Sequence, residues 1–181
     1  RAWKYPLPGD SVVTTIQRVV INVADGKMVR FRMPPDQHRS IQGDNLSMND
    51  VKWSPDDAHV VFASVARDHK HVWVRDADVA TGAVRTVFEE SSPTHVESWA
   101  GWRVLWPTHE ILWYSQRDNW GQLYRYDLAT GKLKNQVTTG DGDVTQVDRV
   151  NDTTRTVWFT AVGREAGQDP YLRHYYRVDP I

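Results

Sequence analysis

The sequence lacks the features that would place catalysis or a membrane span within it. Its 181 residues include no cysteine, which excludes disulfides and thiolate nucleophiles. No apolar run approaches the roughly 18 residues that cross a bilayer. The motifs Gly-x-Ser-x-Gly, Gly-x-Gly-x-x-Gly and Gly-x-x-x-x-Gly-Lys-Ser/Thr are all absent. We therefore expect no nucleophile elbow, no nucleotide or dinucleotide cradle and no cofactor.

The charge and the aromatic content indicate which partners and which fold class to expect. A formal net charge of -1 does not favour nucleic acid as a partner. Little helical periodicity is present. The 9 Trp, 7 Tyr and 4 Phe fall in short runs beside Val, Ile and Leu, and such runs favour β-strands.

One short turn occurs three times. It reads Asn22-Val-Ala-Asp-Gly26, Asp78-Val-Ala-Thr-Gly82 and Asp127-Leu-Ala-Thr-Gly131, and its glycines stand 56 and 49 residues apart. An Asp or Asn that caps the turn and a glycine that accepts a positive φ are typical of hairpins. A partial fourth copy, Tyr176-Arg-Val-Asp179, follows at a similar spacing.

An earlier hairpin precedes three of these copies. The paired segments are Val51–Trp53 with His59–Phe62, Trp102–Trp106 with Ile111–Tyr114, and Val147–Val150 with Thr156–Phe159. Each unit thus has four short strands over roughly 45–55 residues, the size of a β-propeller blade. An all-β sandwich is the alternative, but it gives no reason for the same turn to return at this spacing.

The predicted fold is therefore a partial β-propeller of about three to four blades of four-stranded antiparallel sheet. Residues 1–48 form part of a blade, 49–97 and 98–143 form blades, and 144–181 form a partial blade that stops in its third strand. Units two and three read as complete. Closing such a ring would need further blades or a partner copy.

Several side-chain groups suggest a site but fit a structural role better. His69 and His71 could share one strand face as a metal pair, but no third ligand stands nearby, so we expect no metal. Asp141-Gly-Asp143 is half of a calcium loop, and a turn between blades explains it. Glu89 and Glu90 could bind an ammonium group, yet they close a strand where a solvated blade end is expected.

The tryptophans form the largest candidate group, namely Trp99, Trp102, Trp106, Trp113 and Trp120. They could make a sugar-stacking or peptide-binding platform. Trp102 and Trp106 are four apart, which would place both on one face of a strand. Packing between blades explains them without a ligand.

Several of these segments resemble a known family. The segments stand in the order Tyr5-Pro-Leu-Pro-Gly9, Asp50–Trp53, Arg67-Asp68, Asp78–Gly82, Val87–Ser91, Gln116–Asp118 and Gly121–Tyr124. Together they resemble the N-terminal β-propeller domain of the dipeptidyl peptidase IV group of serine peptidases, within the prolyl oligopeptidase clan. The likeness spans essentially the whole chain. The opening Tyr-Pro-x-x-Gly is more specific than the Asp-x-x-Thr-Gly turns, which many propellers carry.

The resemblance implies a substrate-gating and non-catalytic role. In that family an eight-bladed propeller covers an α/β-hydrolase domain that supplies Ser, Asp and His, and a double-Glu motif holds the free amine of the peptide. That motif lies before the Tyr-Pro-x-x-Gly segment, so Glu89 and Glu90 do not inherit the role. A substrate-binding arginine of the family falls near Gly101-Trp-Arg103, which makes Arg103 the candidate.

The implied partners are an α/β-hydrolase catalytic domain of the same parent chain, a peptide substrate and a second copy in a homodimer. The resemblance favours a periplasmic or secreted location, and the chain alone should be inactive. The alternative is a non-enzymatic propeller scaffold that binds other proteins. A sugar-binding propeller would rest on the tryptophans only.

Overall fold

The computed structural model describes residues 7, 9–13, 15–36, 38–39, 51–97 and 101–179. Nearly all regular structure in these residues is antiparallel β-sheet, as the alternating and aromatic-rich segments predict. The strands form four consecutive sheets along the chain. The predicted all-β class is confirmed.

The first two sheets contain the early strands. The first sheet is the hairpin of β1 (Val19–Ile21) and β2 (Met28–Arg30). The second sheet holds β3 (His38–Arg39), β4 (Val51–Trp53), β5 (His59–Val65), β6 (His71–Asp78) and β7 (Val84–Ser91). Both β3 and β4 pair with the same edge of β5, so the sheet is four strands wide. β3 lies within the predicted first unit, 1–48, yet pairs with the second sheet.

The last two sheets follow the same antiparallel plan. The third sheet holds β8 (Arg103–Leu105), β9 (Glu110–Ser115), β10 (Gln122–Asp127) and β11 (Leu133–Gln136). The fourth sheet holds β12 (Asp143–Asn151), β13 (Thr156–Val162) and β14 (Arg173–Val178). The boundaries of the predicted units stay a prediction.

One predicted strand is shorter than expected. The segment Trp102–Trp106 forms β8 only as far as Leu105, and Trp106–Thr108 is a 3₁₀ turn. Pro107 lacks an N–H for a strand ladder, and His109 reverses the chain with a φ of 51°. Trp102 and Trp106 therefore do not share a strand face, which corrects that expectation.

Three apolar layers separate the four sheets. The layer between the first and second sheets is built on Phe31, Val60, Phe62 and Ala77. The layer between the second and third sheets includes Val61, Val74, Phe88, Trp102, Ile111, Trp113, Tyr124 and Tyr126. The layer between the third and fourth sheets includes Leu105, Leu112, Tyr114, Leu123, Val144, Val147 and Phe159. Face-to-face packing of successive sheets is the arrangement that a propeller requires.

The recurring turn joins neighbouring sheets. In the second sheet, Asp78 Oδ1 accepts hydrogen bonds from Thr81 N (2.7 Å) and Thr81 Oγ1 (2.8 Å). The third sheet repeats this with Asp127 and Thr130 at the same distances. These bonds lower the pKa of both aspartates, because they stabilise the ionised carboxylate.

The glycine of each of these two turns lies against the preceding sheet. A Cβ on Gly82 would stand 2.3 Å from the carbonyl oxygen of Arg30, and one on Gly131 would stand 1.8 Å from that of Val87. Both glycines also have a positive φ, 71° and 70°. The repeated Gly is therefore needed for the turn and for the close approach of the sheets.

A buried carboxylate links the third and fourth sheets. Glu110 is 1% exposed and bonds to Lys134 and to Thr108 Oγ1 (3.0 Å). Arg125 Nη1 lies 3.6 Å and Arg155 Nη2 3.3 Å from its oxygens. Burial opposes ionisation, but the interactions with Lys134, Thr108 and Arg155 outweigh it and lower the pKa of Glu110.

Candidate functional site

A group of polar contacts surrounds Glu90, near the end of β7. Its carboxylate accepts hydrogen bonds from Trp113 Nε1 (2.9 Å), Ser115 Oγ (2.6 Å) and Arg117 Nη2 (2.5 Å). Arg117 also donates to Tyr126 Oη (2.5 Å). We call these five residues the Glu90–Arg117 cluster. Four of them belong to the third sheet and its β9–β10 turn, so the cluster joins that sheet to the second.

The β9–β10 turn aims Arg117 at Glu90. Asn119 has a φ of 73° there, and the backbone N–H of Arg117 donates to Ser115 Oγ (3.1 Å). The guanidinium carbon of Arg117 lies 4.4 Å from the centre of the Tyr124 ring. This stacking holds a planar cation in one orientation.

A second hydrogen bond fixes the stacking ring. Tyr124 Oη donates to Asp118 Oδ2 (2.5 Å). Burial, with help from Asp118, raises the pKa of Tyr124. Burial also raises the pKa of Tyr126, although Arg117 acts in the opposite direction. Both phenols therefore stay protonated and act as donors or acceptors without titrating near neutral pH.

The chemistry of the Glu90–Arg117 cluster fits a structural role at the contact between two sheets. Burial works against the charged form of Arg117, but the carboxylate of Glu90 raises the pKa of this guanidinium. Three donors occupy Glu90, so its carboxylate is engaged within the protein. The cluster contains no nucleophile beside a free base, and we infer from it no bond-breaking step.

The expectation of a solvated Glu89-Glu90 end is wrong for Glu90. The Glu90 side chain is 11% exposed, whereas that of Glu89 is 46% exposed. Successive strand residues point to opposite faces, so one carboxylate faces the third sheet and the other faces solvent. Glu89 pairs with His71, whose Nδ1 lies 2.8 Å from its Oε1.

Arg103 lies at the start of β8, between the third and fourth sheets. Its Nη1 donates to the carbonyl oxygens of Gly101 and Trp102 (both 3.1 Å), and its Nη2 donates to that of Val147 (3.3 Å). These bonds fix the guanidinium to backbone. The structure does not bring Arg103 to the Glu90–Arg117 cluster, and its substrate role stays a prediction.

The histidine and aspartate residues considered as metal ligands do not form one site. His69 sits in a turn with a φ of 57° and stacks on His95, with ring centres 5.5 Å apart, so it is not on the strand that carries His71. Asp143 accepts a hydrogen bond from Gly121 N (2.5 Å), which ties the inter-sheet turn to the third sheet. In the described ranges, no group of three His, Cys, Asp or Glu could hold a metal ion.

Two of the tryptophans are core residues. Trp102 is 3% and Trp113 1% exposed, and their ring centres lie 5.9 Å apart in the layer between the second and third sheets. Packing between sheets is thus confirmed for this pair. Trp120 is 38% exposed. Trp99 lies outside the described residues.

A cleft of about 530 Å³ opens where the second and third sheets meet at their other end. Trp106, Pro55 and Leu128 are among the residues that form its wall. Its polar groups engage one another, because Arg85 Nη2 donates to Asp76 Oδ2 (2.8 Å) and to the Leu128 carbonyl (2.9 Å). His59 also lines the cleft, and its Nδ1 lies 3.0 Å from Asp76 Oδ1, so the cleft combines an apolar wall with a group of His59, Asp76 and Arg85.

The chain matches the family model for the dipeptidyl peptidase IV N-terminal region over residues 1–180. The chain belongs to this family. Tyr5 and Asp50, which carry part of the resemblance, lie outside the described residues. Leu7 and Asp10 from the same opening stretch are held by Arg67, which donates to their carbonyl oxygens at 3.0 and 2.8 Å.

Solved structures show the same fold. A putative dipeptidyl aminopeptidase IV from Bacteroides ovatus is 21% identical, with a TM-score of 0.70 over 89% of this chain and 24% of its own. Dipeptidyl peptidase 4 from Porphyromonas gingivalis is 18% identical, with a TM-score of 0.71 over 98% of this chain and 23% of its own. The chain thus spans about a quarter of either relative.

A third solved structure with a similar fold is not named as a peptidase. A putative TolB from Agrobacterium tumefaciens is 18% identical, with a TM-score of 0.54 over 92% of this chain and 52% of its own. These likenesses establish the β-propeller type of fold. In the described part of the chain, no helix has the length and apolar character of a membrane span.

Sequence reasoning missed the Glu90–Arg117 cluster, although its members stand in the segments that resemble the dipeptidyl peptidase IV N-terminal region. Val87–Ser91 supplies Glu90 and Gln116–Asp118 supplies Arg117. The sequence did contain one signal: Glu90 and Arg117 carry opposite charges, and each stands at the end of a strand in units that a propeller would place side by side. Their distance of 27 residues hides the pairing in the sequence.

Proposed function

We propose that this chain is a non-catalytic, substrate-gating propeller segment of a serine dipeptidyl peptidase that removes N-terminal dipeptides. The family match over residues 1–180 carries the proposal. The lack of a Gly-x-Ser-x-Gly motif and of cysteine agrees with catalysis elsewhere in the parent protein. The catalytic Ser, Asp and His then belong to an α/β-hydrolase domain of the same parent chain.

The packing of the sheets supports the gating part of the proposal. Three apolar layers and the Glu90–Arg117 cluster hold neighbouring blades in a fixed relation. A stiff propeller wall beside a hydrolase domain admits extended peptides and excludes folded proteins. A free N-terminal amine held at a fixed depth sets which bond meets the nucleophile.

The experiment compares two proteins and two substrates. The 181-residue chain and the full polypeptide encoded by its gene are assayed with Gly-Pro-p-nitroanilide and with its N-succinylated form. We expect turnover only for the full polypeptide and only with the free amine. Turnover by the 181-residue chain, or equal rates on both substrates, contradicts the proposal. A full polypeptide inactive on both substrates favours the scaffold instead.

Arg103 is the proposed peptide contact within this chain. Its guanidinium would exchange one of its three backbone carbonyl partners for a carbonyl of the substrate. Arg103→Lys in the full polypeptide should then raise KM about tenfold with kcat nearly unchanged, since lost binding common to ground and transition states acts on KM. Arg149→Lys, an exposed arginine stacked on Trp158, is the matched control. An unchanged KM contradicts the role.

The remaining expectations concern partners and location. A homodimer and a periplasmic or secreted parent agree with the family. Size-exclusion chromatography with light scattering and fractionation of the source cells test them. A monomeric or cytosolic parent would contradict them.

A further inference from the structure

Two junctions between sheets can be compared position by position at the end that carries the recurring turn. His59, Glu110 and Thr156 are equivalent, because each is the first residue of its strand, β5, β9 or β13. His109 and Arg155 come one residue before the last two of these strands, and both have a left-handed φ, 51° and 58°. Arg155 therefore holds, at the junction of the third and fourth sheets, the position that His109 holds at the junction of the second and third.

The Arg155 side chain lies within its junction. Its Nη2 lies 3.3 Å from Glu110 Oε2 of the preceding sheet, and its Nε and Nη2 atoms are buried. One junction earlier, His109 and His59 both line the cleft of about 530 Å³, and His59 takes the position of Glu110. The cleft is thus the counterpart of the space that a guanidinium group occupies between the third and fourth sheets.

The cleft carries a net negative charge when its histidines are neutral. Its lining includes two carboxylates, those of Asp56 and Asp76, and one guanidinium, that of Arg85. Arg85 is already engaged with Asp76 Oδ2 (2.8 Å) and with two backbone carbonyls of the third sheet. Among the residues that line the cleft, Asp56 is therefore a carboxylate without a cationic partner.

Asp56 and His59 provide hydrogen-bond acceptors. Asp56 Oδ1 accepts from Ser54 Oγ (2.6 Å) and Ala58 N (3.2 Å), and the bond from Ser54 is the main cause of the lowered pKa of Asp56. Asp56 is exposed, so its ionised carboxylate can accept further donors. His59 Nδ1 lies 3.0 Å from Asp76 Oδ1, and Nδ1 carries the proton because a carboxylate only accepts. In the neutral ring, His59 Nε2 is then an acceptor.

The wall of the cleft fits a planar cation. Trp106, Pro55 and Pro107 are part of this wall, and an indole face attracts a guanidinium or an ammonium group. A guanidinium presents five N–H donors in one plane, so it can reach two acceptors at once, whereas an ammonium is a compact and strongly hydrated charge. A volume of about 530 Å³ is typical of ligand sites and has room for peptide backbone beside one side chain.

We propose that the cleft binds the arginine side chain of a peptide segment. The guanidinium stacks on Trp106 and donates hydrogen bonds to the Asp56 carboxylate and to His59 Nε2. The peptide backbone on either side lies along the two prolines of the wall. The site thus takes from another segment the group that Arg155 supplies within the chain at the next junction.

Fluorescence anisotropy with labelled peptides tests this proposal. The probe is the pentapeptide Gly-Ala-Arg-Ala-Gly with an acetylated N-terminus and a fluorophore at its C-terminus, and it is titrated with the full polypeptide encoded by the gene. We expect the same peptide with citrulline, a neutral isostere of arginine, to bind about tenfold more weakly, since it loses the charge-assisted hydrogen bonds. A lysine peptide should bind about fivefold more weakly, since it lacks the planar fork.

Variants of the polypeptide locate the site. Asp56→Asn keeps a side-chain oxygen for the turn but removes the charge, and should weaken binding of the arginine peptide about tenfold. Asp68→Asn is the matched control and should leave the affinity unchanged, because Asp68 is also exposed and caps its turn through the N–H two residues later at 3.0 Å. His109→Arg places a guanidinium at the position equivalent to Arg155 and should abolish binding, whereas His109→Gln should not.

The outcomes that overturn the proposal are equally specific. Equal affinities for the arginine and citrulline peptides overturn it, as does an arginine peptide that does not bind. Full binding by Asp56→Asn, or equal losses in Asp56→Asn and Asp68→Asn, also overturn it. Ethylguanidinium that binds as tightly as the arginine peptide identifies a free small cation as the occupant and overturns the assignment to a peptide. Peptidase activity does not enter the readout, so this test is independent of the proposed function.

Discussion

Adjacent residues of this chain have opposite environments, and the Glu89-Glu90 pair shows why. On β7 the two side chains point to opposite faces, so Glu89 meets solvent and His71 while Glu90 enters the junction with the third sheet. The sequence reveals two carboxylates but not which of them has donors across the junction. That depends on Arg117, which a turn 27 residues away brings within 2.5 Å.

Glu90→Gln should destabilise the chain, because Arg117 then keeps its charge without a carboxylate. We expect a loss of about 2 kcal/mol in the free energy of unfolding, the usual size for a part-buried hydrogen bond to a charged group. Urea denaturation followed by Trp fluorescence measures it. Glu89→Gln is the control and should cost less than about 0.5 kcal/mol, as exposed pairs do. Equal losses for the two variants would contradict a stabilising role of the Glu90–Arg117 cluster.

The buried Glu110 predicts a pH dependence. Its pKa is lowered in the folded chain, so its contribution is present above the unfolded pKa and is lost as pH falls through the folded pKa. Glu110→Gln should lower the free energy of unfolding by about 2 kcal/mol at pH 7. The difference from the native chain should shrink between about pH 5 and pH 3.

Urea denaturation across that pH range tests the role of Glu110. A difference that grows towards low pH would mean that the Glu110 carboxyl is not ionised at neutral pH in the folded chain.

At the scale of elements, the repeat in the sequence predicts the hairpins well and their ends less well. The Asp-x-x-Thr-Gly turns form as expected, since capping and a positive φ are local properties. The strand expected over Trp102–Trp106 ends early, because Pro107 and the left-handed His109 act against it. The close approach of Gly131 to Val87 is a tertiary contact that no local pattern encodes.

Gly131→Ala and Gly26→Ala separate backbone strain from this contact. Both place a Cβ at a φ near 70°, which costs about 1 kcal/mol. Only Gly131→Ala also forces the third sheet away from the Val87 carbonyl, so we expect it to lose about 3 kcal/mol or more in total. Denaturation midpoints of the two variants in the 181-residue chain give the difference. Equal losses would contradict the inter-sheet role of the glycine.

At the scale of the molecule, four sheets of the described residues pack through three apolar layers. The chain belongs to the dipeptidyl peptidase IV N-terminal region family. Composition and repeat spacing were enough to predict the fold class, because each unit carries its own turn and strand signals. The candidate site was not predictable in the same way, since Glu90 and Arg117 meet only when two units pack. We propose that catalysis depends on residues beyond these sheets.

Covalent labelling of the nucleophile shows whether the catalytic serine lies outside this chain. The full polypeptide is treated with a fluorophosphonate, which reacts with activated serines, and the modified peptide is located by mass spectrometry. We expect one labelled serine outside residues 1–181, with loss of dipeptidyl peptidase activity in proportion to labelling, and no label on the 181-residue chain alone. A labelled serine within residues 1–181 would contradict it.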